Sequence, residues 1–511
     1  MAEQVEMKKT LGLTGVTVNA MALIAPGAFL WLTFQMQAAQ AVGGKSTAMD
    51  MFPGLVLALC MALLTAISYA KLATLYPEAG TGSSYYFAEH AFLSSERLSV
   101  FSRINKFVVG WFSHLYYWVY PGVMVGMFAV LVNYITGQFG VALSIPVQML
   151  IAVVIAAVTG FVAFRGVSGS TAFSVVINVI QIVTLVFITV LALAYRTANP
   201  EHVVFVHKSL TDIIIPHSFS GVIFQSTIAI LLLVGFESAT ALAAESKSIK
   251  HVSRGTILSL VLQGLIFYLF EYFGANGWLN TSYSVKDSSG ALQHGIAAAA
   301  TSAAPIGDMV QNLGNVLLNN SGFICMIVVA VSVGIAVFGT TLSCMNTGVR
   351  VTYAMAKDEE MPTVLNALHV KHATPHTAVF IITVASAIIG AFAVINVTTL
   401  TAVTYISNIG TFLLYGMTNL IALMAFSKQP KRNPITAIIV PILGALANVG
   451  MLVAVILLGI FAGGATMISA LIAIGVSLVW LIIGVAYFRI NSKKTGRDIL
   501  LKSPADAVAR S

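Results

Sequence analysis

Ala229-Ile230-Leu231-Leu232-Leu233-Val234-Gly235-Phe236-Glu237-Ser238-Ala239-Thr240 is an apolar run with a glycine and an acid at its centre. Its counterpart, Val18-Asn19-Ala20-Met21-Ala22-Leu23-Ile24-Ala25-Pro26-Gly27-Ala28-Phe29, is interrupted by Pro26-Gly27. Both lie in apolar stretches long enough to cross a bilayer, which takes about 20 residues. Working outward with that ruler, the chain divides into twelve candidate spans, segments 1 to 12: 11–39, 52–76, 104–135, 142–164, 171–194, 218–245, 253–279, 322–356, 375–396, 400–427, 434–460 and 465–489. The two weak points are five segments apart. Five is odd, so the second copy enters the membrane from the opposite side. Interrupted segments at matching places of inverted halves point to a transporter binding site, where freed N–H and C=O groups hold a small solute. The plainer alternative is an ordinary membrane-helix kink at Pro or Gly.

Composition agrees with lipid as the solvent. Of 511 residues 9% are charged and 58% hydrophobic, with a mean hydropathy of +0.92. A water-soluble fold keeps a polar exterior, so a soluble enzyme, a secreted disulfide scaffold and a disordered chain are excluded. Cys60, Cys325 and Cys344 lie in apolar runs without metal-ligand spacing, and no cofactor or metal is expected. Segment 1 is too long for the apolar part of an ordinary cleaved signal peptide. With the N-terminus inside, 22 of the 26 basic residues fall on cytoplasmic loops and segment ends, leaving Lys45, Arg196, Lys208 and Lys286 outside. This bias places both termini in the cytoplasm. The net charge of +8 thus serves orientation and contact with lipid headgroups, and no nucleic-acid partner is expected.

Sixteen of the 18 acids lie in loops, tails or segment ends; Glu237 and Glu271 lie deep in the membrane. An ionised carboxylate there is costly unless it meets water, a cation or a proton. Glu237 directly follows the Gly235-Phe236 weak point and is the candidate proton-coupling group. Glu271, beside Tyr268 and Tyr272, is a possible accessory acid. Segment 3 carries Trp111-Phe112-Ser113-His114-Leu115-Tyr116-Tyr117-Trp118-Val119-Tyr120-Pro121. Its helical spacing puts His114 and Tyr117 on one face and Tyr116 and Tyr120 on the next, a wall suited to an organic ammonium.

Four segments in order resemble a bacterial member of the amino acid–polyamine–organocation (APC) permease superfamily, closest in motif to its amino acid and putrescine importer branch. Tyr69-Ala70-Lys71-Leu72-Ala73-Thr74-Leu75-Tyr76-Pro77-Glu78-Ala79-Gly80-Thr81-Gly82-Ser83-Ser84-Tyr85 is similar to the family's exit from segment 2. Gly235-Phe236-Glu237 with Glu245-Ser246-Lys247 resembles "GFE…E.KNP". Arg350-Val351-Thr352-Tyr353-Ala354-Met355-Ala356-Lys357-Asp358-Glu359-Glu360-Met361-Pro362 is similar to "R..YAMARDG.LP". The fourth is the interruption at Ile24 to Ala28.

The resemblance implies an all-α integral membrane protein of twelve transmembrane helices. Two inverted five-helix repeats, 11–194 and 218–427, are followed by peripheral helices at 434–489, with cytoplasmic tails at 1–10 and 490–511. Carried over by position, Ile24, Ala25, Pro26, Gly27 and Ala28 cradle a carboxylate. Leu231, Val234, Gly235 and Phe236 surround the amine, and His114, Tyr117 and Tyr120 line the wall. Gln181 stands where some proton-coupled members have a lysine, and Thr340 and Ser343 where sodium-coupled relatives supply oxygens. Acids found in putrescine importers fall near Pro26 and Tyr116, and Leu231 takes the aromatic gate position. Substrate class and coupling ion therefore stay open at this stage. The expected function is secondary transport of an amino acid or related organic amine across the cytoplasmic membrane by alternating access, as proton-coupled symport, with sodium as the second candidate ion. The alternatives are a polyamine importer and an exchanger without net ion coupling. No HExxH, GxSxG or paired intramembrane Asp marks an enzyme.

Overall fold

The computed structural model describes residues 10–496 except 25, 43, 78, 80–82, 94–99, 167–169, 199–213, 271–282, 288, 371, 373 and 431. Nine helices among the described residues are long and apolar enough to cross a membrane: Ala48–Leu75, Ile104–Gly137, Ile145–Arg165, Val175–Tyr195, Gly322–Lys357, His376–Ala393, Val397–Ser427, Ile435–Phe461 and Gly464–Thr495. They coincide with segments 2–5 and 8–12. The other three segments are helical too. Segment 1 is Leu13–Ile24 followed by Pro26–Ala39, segment 6 is Phe219–Ala229 and Ser238–Ala241 with a turn between, and segment 7 is Ile249–Phe270. Strand among the described residues is confined to two small hairpins, 41–46 and 284–294.

Segments 3 and 10 run through the middle of the bundle and are mostly buried, whereas 4, 5, 9, 11 and 12 turn much of their surface outward. The outward faces carry Leu150, Phe161, Val183, Ile388 and Ile482, all exposed. Apolar surface on that scale belongs against lipid. Segments 11 and 12 pack on segment 10 and on each other at one side. The first half of segment 1 packs on segment 7, and the first half of segment 6 packs on segment 2.

Segment 3 is uneven for a local reason. Pro121 has no N–H to return to the carbonyl four residues earlier. The helix loosens at Trp118–Val119 before resuming at Tyr120, and the Tyr117 carbonyl meets Cys344 Sγ at 3.9 Å. A π-helical turn over Val108–Phe112 lies one turn upstream.

Candidate functional site

The described helices of segment 1 end at Ile24 and resume at Pro26, and Ala25 between them lies outside the described residues. Pro26 would return an N–H to the Ala22 carbonyl and has none. That carbonyl instead accepts from Thr340 Oγ1 of segment 8 at 3.0 Å. One residue earlier the Met21 carbonyl accepts from Gln263 Nε2 of segment 7 at 3.0 Å, and the Val18 carbonyl from Asn178 Nδ2 of segment 5 at 3.1 Å. Side chains from three segments thus satisfy the end of the half-helix.

The break in segment 6 is longer. After Ala229 the chain tightens into a 3₁₀ turn, and the N–H groups of Leu233 and Val234 both return to the Ile230 carbonyl. Gly235 then takes φ +127°, which an L side chain rarely adopts. A Cβ there would lie 2.9 Å from Leu23 Cγ and 3.0 Å from Ile24 Cγ1. Bare backbone is therefore required twice over: for the turn, and for contact with Leu23 and Ile24 of segment 1. Beyond the glycine, Ser238 Oγ donates to the Gly235 carbonyl and Thr240 Oγ1 to the Glu237 carbonyl, each at 2.6 Å. Hydroxyls that bond back to the backbone in this way compete with regular helix.

Glu237 lies at the junction, fully buried. Its Oε2 accepts from the Gly235 N–H at 3.1 Å and from the Tyr415 hydroxyl of segment 10 at 2.5 Å. Its Oε1 is buried without a hydrogen bond. An aromatic shell surrounds the group. Phe236 and Tyr415 rings lie 5.2 Å apart, Tyr69 packs edge-on to both, and Tyr116 stands 4.6 Å from Tyr117 and 5.4 Å from Tyr120. Next to this shell the start of helix Ser84–Leu93 forms a hydroxyl layer. Ser83 meets Thr240 at 2.6 Å, and Ser84 donates to the Tyr69 hydroxyl at 2.6 Å and accepts from Thr418 at 3.0 Å. Chemically this is a carboxyl that can exchange a proton, set among ring faces and hydroxyls beside exposed peptide dipoles.

The expected site residues separate into groups. Ile24, Leu231, Val234, Gly235, Phe236 and Glu237 are buried around the paired breaks, and Tyr117 and Tyr120 share the tyrosine cluster. Pro26, Gly27 and Ala28 form the first turn of the second half-helix, while Ala25 and Glu271 lie outside the described residues. His114 is not brought to this site. Its Nδ1 meets the Gly110 carbonyl at 2.9 Å, its Nε2 meets Thr352 Oγ1 at 3.1 Å, and its ring packs beside Trp111, Trp118 and Trp480. Thr340 reaches the end of the first half-helix. Ser343 is half-buried, its carbonyl accepting from Thr347 at 3.0 Å. Gln181, one turn beyond Asn178, is buried with neither amide atom hydrogen-bonded. Among the described residues no group of three His, Cys, Asp or Glu is placed to hold a metal ion.

Sequence reasoning missed Tyr415, Tyr69 and the Ser83–Ser84 layer. A usable signal existed for the first. Segment 10 carries Thr404, Asn408, Thr411, Tyr415 and Thr418 at steps of three or four, all buried, a polar stripe at helical spacing inside an apolar helix. The family-like motifs also meet: Arg350 of segment 8 pairs with Glu245 at the exit of segment 6.

Comparison with known proteins matches residues 9–488 to the family described as Amino acid permease. The low-affinity putrescine importer PlaP of Escherichia coli (strain K12) is 28% identical over 281 residues, 53% of this chain and 54% of that protein. The chain thus spans about half the length of that relative. The branched-chain amino acid permease BcaP of Bacillus subtilis (strain 168) is 22% identical over 470 residues, 86% of both chains. BcaP of Lactococcus lactis subsp. cremoris (strain MG1363) is 23% identical over 366 residues, 68% of this chain and 70% of that protein.

Proposed function

The chain belongs to the amino acid permease family, and on that premise we propose that it is a secondary transporter of an amino acid or related organic amine, coupled to protons through Glu237. The observation that carries this reading is the contact between the Gly235 turn of segment 6 and Leu23–Ile24 of segment 1, with Glu237 buried beside it. Half-helix ends that meet deep in a membrane bundle offer peptide dipoles to a zwitterion without needing charged side chains. The reciprocal packing of segment 1 on 7 and of segment 6 on 2 supports two inverted five-helix repeats, 11–194 and 218–427, with 434–489 peripheral. Alternating access then rocks one group of helices against the other around a fixed site, and a protonated Glu237 costs less than a charged one while that site is closed to water on both sides. The skewed basic residues support the cytoplasmic membrane and inward termini. Relatives named as permeases and an importer point away from an enzyme.

Between substrates, the observations favour a single ammonium. Among the described residues Glu237 is the one acid in the aromatic shell, whereas a diamine presents two cations. Counterflow into proteoliposomes with a panel of amino acids and diamines, under a proton or a sodium gradient, tests the reading. Saturable uptake of an amino acid that responds to the proton gradient is expected. Uptake of diamines alone would shift the assignment to a polyamine importer, and exchange insensitive to either gradient would make it an exchanger. No saturable uptake of any amine would overturn the proposal.

A further inference from the structure

A second buried acid group lies on the far side of the hydroxyl layer from Glu237. Glu360 is fully buried and sits 2.6 Å from Lys106 Nζ, itself buried. Glu89 reaches the same ammonium at 3.4 Å. Asp358 accepts from the Tyr85 hydroxyl at 2.9 Å, and the ammonium lies over the Tyr85 ring at 5.1 Å. Glu360 and Glu89 thus share one ammonium, and Asp358 adds a third carboxylate close enough for its charge to act on the same lysine. Such an imbalance is relieved when one carboxylate takes a proton. The elements joined are helix Ser84–Leu93, the base of segment 3 and the exit of segment 8. Ser83, Ser84 and Tyr85 are consecutive, so the strand of chain that seals Glu237 also touches this group.

We propose that the Glu89–Lys106–Asp358–Glu360 cluster is a second proton-binding site, which latches the end of the bundle assigned to the cytoplasm and releases its proton when that end opens. The proposal rests on the transporter reading above and adds a proton acceptor to it. Burial raises Glu360 from an ordinary 4.5 to about 7, with Lys106 opposing. Burial, then the charge of Glu89, raises Asp358 from 3.8 to about 6. Opened to water, both return to ordinary values, so the packed cluster holds the proton more tightly than the open one. Packing is favoured at low pH, and the advantage is lost as pH rises through about 7. The other groups facing the cluster are Tyr86 of its own helix, with Tyr353, Lys357 and Glu359 of segment 8 and Tyr487 of segment 12. His90 instead stacks on Tyr76.

Hydrogen exchange of the full chain in lipid nanodiscs, corrected for the intrinsic pH dependence, provides the test. Protection of amides 84–93 and 355–366 is expected to fall by about tenfold between roughly pH 6 and 8, the change one coupled proton produces. Glu360→Gln is expected to flatten that slope to within about twofold, and Glu237→Gln to leave it unchanged. A flat profile in the unmodified chain, or a slope that survives in Glu360→Gln and in a second variant, Asp358→Asn, overturns the proposal. A retained slope in a protein that takes up no amine would sustain the proton site and remove the transporter reading.

Discussion

Glu237 and Glu360 are both fully buried carboxyl groups, each delivered by a left-handed turn, yet their surroundings are opposite in kind. Glu237 follows Gly235 and meets a backbone N–H and a tyrosine hydroxyl, with no cation beside it among the described residues. Glu360 follows Glu359, at φ +64°, and meets a lysine shared with other acids. A carboxyl held by neutral dipoles changes its charge without stranding a partner. One locked to an ammonium leaves a buried charge behind whenever the pair separates. The first arrangement suits a group that cycles with a substrate, the second a joint between elements.

The largest effect expected from this difference is on stability. Lys106→Met strands three acids around an apolar side chain and should cost about 3–5 kcal/mol, read as a fall in the melting temperature in detergent. The double variant Lys106→Met, Glu360→Met should recover most of that loss; if it does not, the pair is not what holds the joint. Gly235→Ala comes next. The turn is closed to a side chain and the added carbon would press on Leu23 and Ile24, so a loss of about 1–3 kcal/mol is expected, with uptake falling alongside. Glu237→Gln should leave the melting temperature nearly unchanged but reduce proton-driven uptake roughly 10–100-fold, the value of a hydrogen bond to a charged group. An unaltered response to the proton gradient would remove Glu237 from coupling. The smallest change has the opposite sign. Glu359→Gly places the residue that a left-handed helix stop prefers, and about 1 kcal/mol of stabilisation should appear in the melting temperature.

That last position shows how local sequence and packing divide the work. The chain leaves segment 8 through a Schellman stop, with the Glu360 N–H on the Met355 carbonyl and the Glu359 N–H on the Ala356 carbonyl. The family-like pattern has glycine where this chain has Glu359, so the stop was legible while its strain was not. Likewise the weak points at Pro26 and Gly235 were readable as a lost N–H group and a missing Cβ. Their contact needed coordinates, because nothing along the chain says which broken helix lies beside which.

His114 marks the same boundary from the other side. Its spacing from Tyr117 placed it on the tyrosine wall, and the two share the regular helix Ser113–Tyr117, but Gly110 and Thr352 hold its ring nitrogens and tryptophans of segments 3 and 12 enclose the ring. Glu89, Asp358 and Glu360 fall among the acids of loops, tails and segment ends, and hydropathy, which scores a residue by its neighbours in sequence, gives no sign of their burial. Lys106, read as a segment end, went unnoticed for the same reason. Membrane character, the apolar segments, the two breaks and the lone acid between Phe236 and Ser238 were therefore properties of the sequence itself, because backbone chemistry and burial length act over neighbouring residues. Which hydroxyl meets Glu237, and which acids crowd Lys106, was decided only by tertiary packing, because those partners come from helices tens to hundreds of residues away and share space, not sequence.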